Sequence, residues 1–178
     1  MMHLDLDFFK SLTLNLSEHL ASLNLRLTVQ GIQIQERSYA ALIATMPEYS
    51  HFAVLQSEDT MWAFHAGARL VAVCTDRMMG GPVESAPSES QQFTFSEQFF
   101  FKLLVEWVLQ FGEHKKRNFT LQRIEHFSRS LHLFFHNESV QCVTIKLKLN
   151  PNLATTLQFI FPEGTLPKST RIKELPDD

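Results

Sequence analysis

Apolar residues recur at three- and four-residue steps near the start of the chain. Phe9, Leu12, Leu16, Leu20 and Leu23 therefore share one face of a predicted helix, with Ser11, Asn15 and Ser22 among the polar positions between them. At Asn24 the rhythm shortens to two, as Leu25, Leu27 and Val29 alternate with Arg26, Thr28 and Gln30. Gly31 interrupts, then Ile32 and Ile34 resume against Gln33 and Gln35, which reads as a half-buried strand with a bulge at the glycine. Ala40 to Met46 is a further apolar stretch, ended by Pro47. Phe52 to Leu55 and Met61 to Phe64 flank the acidic turn Ser57-Glu58-Asp59 and read as two strands of a hairpin. After Gly67 the pattern is helical again: Leu70, Val71, Val73, Cys74 and Met78 cover an apolar arc that Gly80-Gly81-Pro82 should stop.

Residues 82–92 are rich in Pro, Ser, Glu, Ala and Gln and read as a polar linker inside the chain. Thr94-Phe95-Ser96-Glu97 then fits a capping box, in which a hydroxyl and a carboxylate each satisfy a free amide at a helix start. The helix it opens runs to about Phe111. Phe100, Leu103, Leu104, Trp107, Val108 and Phe111 cover two of its sides, so it should lie beneath more than one neighbour. Past the basic loop Glu113 to Asn118, alternation predicts strands over Phe119 to Phe127, Leu131 to Phe135, Val140 to Leu149 and Thr155 to Phe161. The order is helix, strands, shorter helix, then long helix and strands. Runs of adjacent strands between helices argue for an α+β fold with a largely antiparallel sheet and pseudo-twofold halves. The expected organisation is one domain over residues 1–162 and a frayed tail over residues 163–178.

Composition sharpens the picture only in places. Sixteen phenylalanines among 178 residues make the core aromatic. A net charge of −3 with scattered Lys and Arg gives no basic face for nucleic acid. No apolar run approaches the ~20 residues that span a bilayer, and the acidic start does not resemble a secretory signal. Cys74 and Cys142 are then expected to be reduced thiols of a soluble, cytoplasmic protein, at the membrane only through partners.

The candidate chemistry is thin. His132 and His136 lie along a predicted strand, which would hold them about 13 Å apart, too far for one ion. His51 and His65 flank the hairpin at positions where they could approach each other, though ordinary polar roles explain them as well. Both cysteines sit in apolar patterns and read as core residues. No nucleophile elbow or phosphate-binding glycine loop is present, and no cofactor is implied. Arg77-Met78-Met79-Gly80-Gly81-Pro82 reads either as a helix C-cap alone or as a loop whose glycines admit a partner's backbone beside adaptable methionines. Lys115-Lys116-Arg117 reads as a solvated turn or a patch for an acidic partner.

The stretch from Leu70 to Val108 resembles the FliM middle domain. Val71-Ala72-Val73-Cys74-Thr75-Asp76-Arg77-Met78-Met79-Gly80-Gly81, a polar linker, and Phe93-Thr94-Phe95-Ser96-Glu97-Gln98 keep that family's order and spacing. The resemblance implies the CheC-like three-layer α/β/α fold and a non-catalytic, protein-binding role in a flagellar switch ring. It implies a FliG-like rotor protein as partner, with Asp76, Gly80 and Gly81 as contacts, Arg77, Met78 and Met79 beside them, and self-association in a ring as a further prospect. Pro82-Val83 stands where the family has another Gly-x-Gly ending. Neither FliM's CheY-capturing peptide, within Met1 to Lys10, nor its FliN-joining domain is expected here. A type III secretion ring component is the alternative within the same likeness. CheC- and CheX-like phosphatases carry a Glu and an Asn three residues on, but here Glu18 is followed by Ala21 and Glu97 by Phe100. A third reading, a small-molecule-binding α+β domain, would need a deep pocket with converging polar groups.

Overall fold

The bulge at Gly31 decides which way the first strand faces. In the computed structural model, which describes residues 4–81, 93–149 and 153–167, strand β1 (Leu27–Ser38) pairs antiparallel with β5 (Ser139–Leu149). The register slips between Val29 and Gly31. One extra residue changes the parity of the strand, so Leu27 and Val29 before it and Ile32 and Ile34 after it all meet the same core.

Six strands make one antiparallel sheet in the order β1-β5-β6-β3-β2-β4, with β2 (Tyr49–Ser57), β3 (Thr60–Ala66), β4 (Thr120–Phe127) and β6 (Leu153–Pro162). The order has an internal symmetry. Hairpins β2-β3 and β5-β6 meet at the centre through β3 and β6, and each half's leading strand pairs with the other half's hairpin. The expected pseudo-twofold halves are thus present and interlocked.

Three helices cover one face of the sheet: α1 (Leu6–Ala21), α3 (Ala68–Met78) and α4 (Phe95–His114). Beneath them lies the aromatic core. Phe9 packs 5.1 Å from Phe159, Phe64 lies 5.1 Å from the same ring, and Trp62 is 5.2 Å from Phe161 and 5.0 Å from Phe119. The opposite face carries a thinner layer made by α2 (Tyr39–Ala44) and the chain after the 3-10 turn Ser128–Ser130. These two pieces occupy matching places in the halves, between the leading strand and the hairpin.

That thin layer gives an element to one stretch that had none and removes an expected strand from another. Ala40 to Met46 is largely a helix, started by Ser38, whose hydroxyl accepts from the Ala41 N–H at 3.3 Å. Leu131 to Phe135 is not a strand. The Tyr39 hydroxyl donates to the Leu131 carbonyl, and Leu131 is buried against that layer, so its apolar residues pack without joining the ladder. The tail boundary also moves: Thr165 and Leu166 are buried, and Gln141 exchanges hydrogen bonds with the Leu166 N–H at 2.7 Å and its carbonyl at 3.3 Å. Linker residues 82–92 and tail residues 168–178 lie outside the described residues.

The three long helices end alike. Residues Asn24, Gly80 and Lys116 take φ values of 56°, 86° and 58°. The next residue's N–H then reaches back five positions, as Leu25 to Leu20 at 3.1 Å, Gly81 to Asp76 at 2.8 Å and Arg117 to Gly112 at 2.8 Å. The basic run expected as a loop is therefore the C-cap of α4, where positive charge suits the helix dipole. Lys116 holds a left-handed conformation that disfavours a side chain. Replacing Lys116 by Gly should raise stability by about 0.5–1 kcal/mol in urea denaturation.

Candidate functional site

Leu70, Val71 and Cys74 bury one side of α3, so the helix is pinned to the core and its C-terminal end is held in a fixed place. At that end Gly80 N–H bonds the Arg77 carbonyl at 3.1 Å and Gly81 N–H bonds the Asp76 carbonyl at 2.8 Å. Gly80 is needed for its φ of +86°. At Gly81 a Cβ would come 2.5 Å from the Asp76 carboxyl carbon, so a side chain there would have to turn that carboxylate aside.

Arg77 ties this turn to its neighbour. Its Nε donates to the Leu23 carbonyl at 3.1 Å and its Nη1 to the Gly81 carbonyl at 3.0 Å, joining the ends of α1 and α3. Met78 is half-buried against the core, whereas Met79 is 71% exposed and Gly80 is exposed. The six residues singled out by sequence thus divide. Asp76, Arg77, Met78 and Gly81 shape and anchor the turn; Met79 and Gly80 face outward.

Sequence reasoning missed a second outward feature. The capping box forms as expected, with Glu97 N–H donating to the Thr94 hydroxyl at 3.2 Å and the Glu97 carboxylate accepting from Thr94 N–H at 2.6 Å. It aims Phe95 and Phe99 into solvent, 85% and 55% exposed, at the head of a stripe that continues as Lys102, Glu106 and Gln110. The signal was available: positions 95, 99, 102 and 106 share one helical face, on which only the first two are aromatic.

The titratable groups offer little for bond chemistry. Cys74 and Cys142 are buried and unpaired with each other, and burial pushes the Cys74 thiol up to about 12 and raises that of Cys142. His51 and His65, which the hairpin could have brought together, point to opposite sheet faces, since adjacent cross-strand pairs Phe52–His65 and His51–Ala66 alternate. His65 stacks on Phe52 at 4.7 Å, and desolvation lowers it to about 4, with Gln158 opposing that shift although neither ring nitrogen has a well-formed hydrogen bond. His51 is fully buried between Phe93 and Phe101 and lowered to about 3 by desolvation, then by His126 and His65. His132 and His136 are exposed outside any strand, so the extended spacing expected for them does not apply. Among the described residues, no group of three His, Cys, Asp or Glu side chains is placed to hold a metal ion. Glu97 is consumed by its cap and Phe100 is fully buried, so that pair presents nothing to a phosphorylated protein.

Solved structures supply the comparison. A FliM middle domain from Vibrio alginolyticus superposes with a TM-score of 0.72 at 13% identity, over 89% of this chain and 92% of that one. The fold is that of a FliM middle domain. A FliG–FliM complex from H. pylori matches with a TM-score of 0.73 at 16% identity, over 88% of this chain and 92% of the other. A CheC-like superfamily protein from Shewanella follows with a TM-score of 0.58 at 11% identity, covering 89% and 99% of the two chains. No protein-family model and no curated protein sequence matches the chain. The FliM-like fold agrees with the resemblance read between Leu70 and Val108. No described helix is long and apolar enough to cross a membrane.

Two outcomes follow from this geometry. Arg77→Met should cost about 1–2 kcal/mol through two lost hydrogen bonds from a charged donor, while Met79→Asp stays within about 0.5 kcal/mol, both read by urea denaturation. The buried imidazoles set the acid response. Because the folded-state values of His51 and His65 lie near 3 and 4 and the unperturbed value is 6.5, their contribution is complete above pH ~6.5 and falls away as pH drops toward 4. Denaturation midpoints measured from pH 7.5 to 4.5 should decline across that window, and less so in His65→Phe.

Proposed function

We propose that this chain is a non-catalytic interaction domain of the flagellar switch type, which presents the outer surface of the α3 turn to a FliG-like ring protein. The observation that carries the reading is the division of labour at that turn. Asp76, Arg77, Met78 and Gly81 hold the turn, closed by the positive φ of Gly80 and tied by Arg77 to Leu23, while Met79 and the Gly80 backbone are turned outward. A rigid, partly apolar tip needs little ordering on binding, which favours a protein contact. A domain of the same fold is found in a complex with FliG.

A FliG-like protein would be met by Met79 and by the backbone at Gly80, where no side chain stands in the way. Asp76, Arg77, Met78 and Gly81 act in this reading as the support of the contact rather than its surface. Force or assembly state would pass through α3 into the sheet without any bond being made or broken. A ring protein of a type III secretion system would use the same tip. Hydrolysis of a phosphorylated response regulator finds no support in the Glu97–Phe100 pair, whose members are capped and buried.

The test is direct binding of the intact chain to the FliG of the same organism by interferometry. Wild type should bind, and Met79→Asp should weaken binding about tenfold or more, as loss of a central apolar contact does, with its circular dichroism unchanged. Absence of binding by wild type, or equal binding by the variant, would refute the assignment of this tip.

A further inference from the structure

The cluster around His51 has no part in the α3 turn. His51 lies near the start of β2 and is 0% exposed. Its ring lies 3.7 Å from Phe93, 4.9 Å from Phe101 and 5.3 Å from His126, measured between centroids. Phe93 also lies 5.6 Å from His126 and 6.4 Å from Tyr49. Phe93 immediately precedes Thr94, the residue that caps α4. The start of the longest helix is therefore fastened to the sheet by one aromatic ring seated on two imidazoles.

Among the described residues, neither nitrogen of His51 has a hydrogen-bond partner, nor does Nδ1 of His126. A buried polar ring that makes no hydrogen bond is tolerated only while neutral, because its cation would lose its water and gain no acceptor. Among the described residues a carboxylate acts on His126 alone: against desolvation and Lys102, Glu125 favours its charged form. From β4, Glu125 is adjacent to His126, so its side chain points to the other face, where it pairs with Arg123 at 3.1 Å. From α4, Lys102 adds positive charge near His126, and the Glu97 carboxylate is held by the Thr94 N–H. From β3, His65 lies across the sheet. From β2 comes the phenol of Tyr49, and α3 brings the exposed Arg69 and, at its far end, Asp76 beside Gly81. A cation over the Phe93 ring gains from the ring's quadrupole, but an unpaired charge in a dry site loses more than that.

We propose that His51, His126 and Phe93 form an acid-released latch that holds the start of α4 on the sheet at neutral pH. Proton uptake makes the seat unfavourable, so Phe93 leaves, the His51 ring reaches water, and the capping turn of α4 detaches while the core stays folded. If one imidazole regains its ordinary pKa of about 6.5 on release, the ratio of released to seated chains rises about 30-fold between pH 7.5 and 5.

The experiment places 4-fluorophenylalanine at position 93 in the full chain and follows its ¹⁹F resonance from pH 7.5 to 4.5. Far-UV circular dichroism is recorded in parallel to mark global unfolding. A second, solvent-like resonance should grow below pH 6.5 before the dichroism changes, and revert when the pH is restored. His51→Phe, which fills the seat without titrating, should abolish it, and His51→Leu serves the same purpose should the larger ring not fit. His126→Gln should move its onset to lower pH by removing the second imidazole. The proposal is overturned if the resonance stays single until the dichroism collapses, or if the non-titrating variants release Phe93 as wild type does.

Discussion

The contact on which the structure most depends is the meeting of β3 and β6 under a layer of aromatic rings. Ala63 to Ala66 pair with Ile160 to Leu157 at the middle of the sheet, and Trp62, Phe64, Phe159 and Phe161 rise from those strands into the core. Phe9 from α1 and Phe101 from α4 close on them, at 5.1 Å from Phe159 and 6.1 Å from Phe64. Rings of this size bury far more surface than aliphatic side chains and resist small displacements. The two halves of the chain are therefore joined at the centre by a close-packed aromatic layer. The α3 turn inherits its fixed position from that centre, because Leu70, Val71 and Cys74 anchor the helix in the same core.

Much of this was legible because local signals and tertiary demands agree. The parity change at Gly31, the three-four rhythm from Phe9 to Leu20 and the capping box at Thr94 each admit one economical reading, and each appears in the fold. Failures cluster where local pattern is ambiguous. Leu131, Leu133 and Phe135 alternate as a strand would, yet Leu131 gives its carbonyl to the hydroxyl of Tyr39, a residue 92 positions away. The six residues of α2 are too few to establish a helical period. Beyond Pro162, composition suggested fraying, but Gln141 on the neighbouring strand captures Leu166.

The α3 turn shows the same limit within a single motif. Two glycines after an apolar helix announce a C-cap from sequence alone. What Arg77 does cannot be read that way, since its partner is the carbonyl of Leu23, 54 positions earlier. Nor does the pattern reveal that Asp76 occupies the space a side chain at position 81 would need. Residue types mark the place; the distinction between support and surface exists only once the chain is folded.

The crossed pairing of the halves has a kinetic consequence. Hairpins β2-β3 and β5-β6 join residues that are close in sequence and can close within microseconds. The flanking strands must wait: Ser38 meets Ser139, and Gln56 meets Thr120, only after long chain segments have been brought together. Because β1 completes the second hairpin and β4 the first, neither half offers a finished sheet before the other arrives. During synthesis the leading half would emerge with the outer edge of β2 unpaired, and that open edge can join a foreign strand until β4 reaches it.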